Sequence, residues 1–215
     1  MSSIASSLAL VRARAKNATL IAVSKTRNIE EIREALGAGQ RVFGENRVQE
    51  AQAKFPALRA DYPDIELHLI GALQTNKALA AVTLFDVIQT LDRPQLADAL
   101  AKAMHKTGRT PRLYIEVNTG KEPQKSGVLP DNLEEFLAYC RDKCGLSIGG
   151  LMAIPPHNQD PHPYFRSLRE WATKLDLPHL SIGMSDDFEI AVECGATEVR
   201  VGTAIFGTRP QNSQL

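Results

Sequence analysis

The 215-residue sequence predicts an α/β fold, a single TIM-type (β/α)8 barrel over residues 1–215 with an N-terminal cover helix. Three observations carry this. Eight short apolar runs alternate with helical patterns, and strict alternation favours parallel strands joined by right-handed crossovers. Eight such units fit the ~200–250 residues of a barrel. The turn after the first run, Ser24-Lys25-Thr26, has no glycine, so the dinucleotide fingerprint of a doubly wound open sheet is missing.

The elements follow in order. Ile4, Leu8, Val11 and Ala15 keep helical spacing among Arg12, Arg14 and Lys16, with no acidic residue before Glu30. A basic, serine-bearing start is also the composition of a transit peptide. The pattern runs straight into the first strand, however, and reads better as a helix covering the bottom of the domain. Charges where an apolar core should lie exclude a secretory signal. Strands are expected at 19–24, 41–44, 66–71, 85–89, 112–117, 147–152, 179–183 and 198–201. Helices are expected at 29–38, 47–59, 77–82, 94–106, 132–143, 164–175 and 186–194. Asp92 is placed to cap the helix opening at Pro94. Gly37, Gly39, Gly108 and Gly145 stand where helices end before strands.

Composition narrows the function classes. Net charge is zero and the pI near 7.0, so no global field recruits nucleic acid or an anionic membrane. No apolar run approaches the ~20 residues a membrane span needs. Three cysteines suit a reducing, cytoplasmic compartment and no disulfide framework. Cys140 and Cys144 read as packed or semi-exposed thiols, and Cys194 as a helix residue facing the core. His157 and His162 lack a third metal ligand at suitable spacing.

The strand ends hold the chemistry. Lys25 closes the apolar run Thr19-Leu20-Ile21-Ala22-Val23-Ser24. Burial there lowers an amine's pKa from about 10.4 and exposes a nucleophile for a carbonyl. Gly183-Met184-Ser185 and Gly202-Thr203 form turns after the seventh and eighth strands. Such turns present backbone N–H groups to phosphate, at the place where barrels build phosphate sites. Closure makes the eighth strand a neighbour of the first, so Arg200 is expected beside Lys25, with a barrel-interior ion pair as its alternative role. A nucleophilic lysine beside a phosphate cradle points to an aldehyde carrying a phosphate, pyridoxal 5′-phosphate. Asn46 is suited to bond a ligand ring or to cap the next helix. Gln74, Asn76 and Lys77 line the same rim. Lys121 and Lys125 lie on a polar loop after the fifth strand, read as solvated.

Several motifs then fall in a familiar order. They are Ala22-Val23-Ser24-Lys25-Thr26, Phe43-Gly44-Glu45-Asn46, His68-Leu69-Ile70-Gly71-Ala72-Leu73-Gln74-Thr75-Asn76-Lys77 and Gly150-Leu151-Met152. Leu180-Ser181-Ile182-Gly183-Met184-Ser185-Asp186-Asp187-Phe188 and Val199-Arg200-Val201-Gly202-Thr203-Ala204-Ile205-Phe206-Gly207 complete the set. The chain resembles the pyridoxal phosphate homeostasis protein family from about Leu20 to Arg209. The fold of that family is similar to the N-terminal barrel domain of alanine racemase. Arg47, Lys121 and Pro123-Gln124 depart from its pattern, all at the rim.

The resemblance implies a barrel that holds and delivers pyridoxal phosphate without established turnover. It implies a Schiff base on Lys25, Arg200 facing the pyridine nitrogen, and Ser185, Gly202 and Thr203 holding the phosphate. Expected partners are the cofactor and apo enzymes that receive it, with the barrel itself a monomer. Chemistry agrees, because arginine only donates to the ring nitrogen and leaves the ring a weak electron sink. A small amino-acid racemase is the alternative. It would need a base on each face of the ring, whereas alanine racemase-like proteins take the second from an additional domain and a partner, which this barrel is expected to lack. Tyr114, Tyr164 and His157 are the candidates here.

Overall fold

In the computed structural model, residues 3–208 are described. Eight strands form the barrel: β1 (Thr19–Val23), β2 (Val42–Glu45), β3 (Glu66–Leu69), β4 (Val87–Leu91), β5 (Arg112–Val117), β6 (Ile148–Ala153), β7 (His179–Ser181) and β8 (Glu198–Val201). Each pairs in parallel with the next, and β8 closes onto β1 with Ile21 opposite Arg200. The helices are α1 (Ile4–Ala15), α2 (Ile29–Gly37), α3 (Val48–Asp61), α4 (Ala78–Leu84), α5 (Pro94–Thr107), α6 (Leu133–Ala138), α7 (His162–Lys174), α8 (Phe188–Glu193) and α9 (Thr203–Phe206).

Local chemistry sets many boundaries. Asn28 opens α2 with a reciprocal cap: its Oδ1 accepts from Glu31 N at 2.8 Å, and Glu31 Oε2 accepts from Asn28 N at 2.9 Å. Gly108 ends α5 in the left-handed region at φ 67°. Asp92 does not cap that helix. The capping position belongs to Arg93, which reaches back to Asp92 and donates to Leu73 O at 2.8 Å. The fourth strand begins and ends two residues later than the apolar run suggested, because α4 continues through Leu84 and Phe85 N closes it on Ala81 O. Cys140 is buried, while Cys144 is half-buried and donates to Asp98.

The cover helix forms, held at its start by Ser3, whose Oγ accepts from Ser6 N. It buries Leu8, Val11 and Ala15 against α2, α8 and α9. Its seat is therefore in the outer ring between α8 and α2, beside the barrel instead of beneath it. Most of the apolar core is the belt between strands and helices. Inside the barrel, Val87, Tyr114 and Met152 form a separate apolar cluster. Around it the interior is polar: His68, Gln89, Ser181, Glu198 and Arg200 are all buried. A typical barrel interior is filled by branched apolar chains, so this polar filling needs a purpose or full hydrogen bonding.

Candidate functional site

Lys25 follows β1 after one residue, Ser24, and its neighbours are fastened from behind. Ser24 Oγ donates to Glu45 Oε1 at 2.8 Å, at the end of β2. Lys54, buried on α3, pairs with the same Glu45 oxygen at 2.6 Å and donates to Ser24 O at 2.9 Å. It also pairs with Glu50, which accepts from Thr26 N. The chain is thus gripped on both sides of Lys25, which itself is half-buried, and Thr26 takes φ 64°. Burial pushes the Glu45 carboxyl up, opposed by Lys54 and Ser24. Lys54 spans Glu45 and Glu50, so the pair of carboxylates shares one buried cation.

The eighth strand comes to the same place. Gly202 follows β8 and faces β1, where a Cβ would meet Val23 Cβ at 3.3 Å. Its N–H points to Ser185 Oγ at 3.4 Å, which joins the turns after β7 and β8. Gly183 sits at φ +86°, and a Cβ there would strike Ala191 Cβ at 2.5 Å. The turn is pinned by Asp187, whose Oδ1 accepts from Met184 N at 2.6 Å. Burial raises the Asp187 carboxyl, against that hydrogen bond and the Arg200 charge. Met184 and Thr203 are exposed at the mouth, and Ser185 is half-buried. Arg27 ties the loop after β1 to the end of α9 by donating to Phe206 O at 3.1 Å and to Gly207 O.

Arg200 is only 4% exposed and makes no ion pair among the described residues. Its Nη1 donates to Ser181 O at 2.7 Å and Ser181 Oγ at 2.9 Å, and its Nη2 to Ala153 O at 2.9 Å. Desolvation lowers its pKa to about 10, opposed by the charges of Glu116, Asp187 and Glu198, so it stays protonated at neutral pH. A guanidinium has five N–H groups. Three of them serve these bonds.

The other sequence candidates divide. Asn46 follows β2 half-buried and does not cap α3, whose capping position is Arg47. It lines a cavity of about 530 Å³ with Gln74 and Lys77. Gly71 must be glycine, since a Cβ would fall 2.3 Å from Asn46 O. Tyr114 is not at the mouth. It lies in the barrel interior and donates to Glu198 Oε1 at 2.5 Å, with its phenol pushed far above the ordinary range, chiefly by burial. Tyr164 donates to Gln159, and His157 is exposed.

The loop of Lys121 and Lys125 is more ordered than a solvated turn. Asn118 Nδ2 donates to Glu122 O at 2.8 Å and Asn118 Oδ1 accepts from Glu122 N at 3.0 Å. Lys121 pairs with Asp131 at 2.6 Å, and Lys125 pairs with Glu122 and donates to Pro155 O at 3.1 Å. Glu116 was missed by sequence reasoning. It is half-buried on the inward face of β5, and burial first, then Asp92, push it up to about 7 against the Arg200 charge. The signal was available, because alternation puts it on the face of Tyr114.

Residues 1–210 match the family described as alanine racemase, N-terminal domain. The chain is 46% identical over 201 residues to the pyridoxal phosphate homeostasis protein of Aquifex aeolicus (strain VF5), covering 89% of this chain and 87% of that protein. It is 40% identical over 200 residues to the protein of that name from Escherichia coli (strain K12), covering 89% and 86%. The chain belongs to the pyridoxal phosphate homeostasis protein family. Among solved structures it is similar to PipY of Synechococcus elongatus PCC7942 with PLP bound, at 41% identity and TM-score 0.87 over 95% of this chain and 100% of that one. The alanine racemase of Streptomyces coelicolor A3(2), 21% identical with TM-score 0.74 over 96% of this chain and 58% of that one, shares the fold.

Proposed function

We propose that this barrel holds pyridoxal 5′-phosphate on Lys25 and yields it to other proteins. The observation that carries the reading is convergence. Lys25 after β1, Arg200 on β8 and the glycine turns after β7 and β8 belong to adjacent strands of a closed barrel, in a chain 41% identical to PipY with PLP bound, which supports the reading. The residues present fit the group. Their donor chemistry suits a phosphate: Ser185 Oγ lies 3.4 Å from Gly202 N, and Gly202 packs close against Val23 of β1. In this reading Ser185, Gly202 and Thr203 hold the phosphate, with Gly183 and Met184 shaping the turn. Asn46 contacts the ring from β2.

Bound there, the cofactor would supply an aldehyde, and Lys25 would be the amine that holds it. The Glu45–Lys54–Glu50 grip fixes the backbone that aims Lys25. Arg200 would face the ring nitrogen and, being a donor only, would add no proton to it. Such a ring stabilises a carbanion poorly, which supports holding over turnover. The relatives are named homeostasis proteins, which supports the same side against a racemase. The working unit is one domain over residues 1–215, monomeric and cytoplasmic, with apo enzymes that depend on the cofactor as recipients. Among the described residues no helix is long and apolar enough to cross a membrane.

The test is transfer. Loaded protein, cleared of excess cofactor, is offered as the sole source to an apo enzyme. Recovery of that enzyme's activity in step with loss of the barrel's visible absorbance is expected. No recovery would remove delivery, and rapid α-proton exchange of an amino acid by the barrel itself would favour the racemase reading.

A further inference from the structure

The barrel interior carries one continuous hydrogen-bond chain, and its direction is fixed at both ends. Arg200 can only donate, and it gives Nη1–H to Ser181 Oγ at 2.9 Å. The hydroxyl has one proton, which goes to Gln89 Oε1 at 2.7 Å. Gln89 therefore turns its amide N–H groups the other way, to Glu198 Oε2 at 3.0 Å and to His68 Nδ1 at 2.8 Å. His68 then carries its proton on Nε2 and donates to Glu66 Oε1 at 2.7 Å. Glu66, at the foot of β3, also accepts from Arg112 at 2.5 Å. A carboxylate can only accept, so no link can be reversed without setting two donors or two acceptors face to face.

We infer that Gln89, buried below the mouth and bonded to no ligand-facing atom, is a positioning residue that aims the Arg200 guanidinium. The Ser181 hydroxyl is a rotor. With Gln89 Oε1 taking its proton, it presents a lone pair to Arg200. Without that acceptor the rotor is free, and one of its settings points a proton at the guanidinium. Ser181 O and Ala153 O remain, but they fix two points of a planar group that the hydroxyl completes. The ligand side of this inference rests on the reading of Arg200 as the partner of the pyridine nitrogen. The protein side does not.

Two measurements separate them. In the ligand-free protein, proton exchange of the Arg200 Nη groups is followed by NMR in wild type, Gln89→Leu, Ser181→Ala and Ser181→Thr. Loss of one hydrogen bond to a charged group corresponds to about a tenfold effect. Exchange is expected to be ~10-fold faster in Gln89→Leu and Ser181→Ala, and restored by Ser181→Thr, which regains a hydroxyl. In the loaded protein, the 15N signal of labelled pyridoxal phosphate is expected to move downfield in the same two variants, as the ring nitrogen loses its donor. A merely structural role for Gln89 would lower stability and leave both signals unmoved. Unchanged Arg200 exchange in both variants overturns the inference. Altered exchange with an unmoved 15N signal overturns its ligand side. Failure of the wild type to load pyridoxal phosphate refutes the proposed function, and the exchange measurement still decides the role of Gln89.

Discussion

Glu116 stands two residues beyond Tyr114 on the inward face of β5, and its carboxyl makes no hydrogen bond among the described residues. Burial and Asp92 hold its proton on until about pH 7 in the folded state, despite Arg200. In the unfolded chain the proton leaves near the ordinary ~4.3. The folded state thus binds more protons between these values, and stability falls as pH rises from about 4 to 7 and then levels. Glu116→Gln removes that fall. The variant is expected to match wild type near pH 4 and to exceed it at pH 8 by about 3–4 kcal/mol, by urea unfolding at each pH. Parallel stability curves would contradict this. Residues of this kind divide in legibility. Lys25 stood out in the sequence because a lysine after an apolar run is costly to bury. Arg200 was readable as inward-facing, but its partners were not: two carbonyls and a hydroxyl, from β6 and β7, carry no charge pattern. Glu116 could have been found from the alternation of β5.

Elements were more legible than contacts, because period and punctuation act locally while partners do not. All eight strands were foreseen, since apolar runs bounded by turns are what buried parallel strands require. Four-residue α9 was missed, being too short to show a period. The place of α1 was misjudged because helical spacing names a buried face without naming its neighbour. The turn after β7 makes a sharper demand. Gly183 has both a positive φ and an Ala191 Cβ 2.5 Å from any added Cβ. Gly183→Ala is expected to cost about 1–3 kcal/mol and to weaken phosphate-bearing ligands far more than pyridoxal, measured by thermal unfolding and titration. Equal loss for both ligands would detach this turn from the phosphate. The loop after β5 makes a kinetic claim. Lys121 and Lys125 are ion-paired on a loop stapled by Asn118 at the mouth. Replacing both by alanine is expected to leave loading of Lys25 nearly intact while slowing transfer to an apo enzyme. An unchanged transfer rate with equal loading would leave the loop no part in hand-off.

At the scale of the molecule, closure does the assembling. Lys25 and Gly202 lie at opposite ends of the sequence, and only the β1–β8 pairing brings Gly202 against Val23. Arg27 reinforces that seam from the loop after β1 to the end of α9. Fold and mouth were legible because a barrel places every strand end on one rim. The polar column beneath was not, because it depends on which inward residues share a level around the ring. The claim that everything else serves is that Lys25 is the covalent anchor. Wild type and Lys25→Ala are incubated with pyridoxal phosphate, reduced with borohydride, digested and analysed by mass spectrometry. A stable pyridoxyl-phosphate adduct on the Lys25 peptide of wild type, with loss of the visible band on reduction, is the predicted result. Labelling at other lysines alone, or an equal yield in Lys25→Ala, would contradict it.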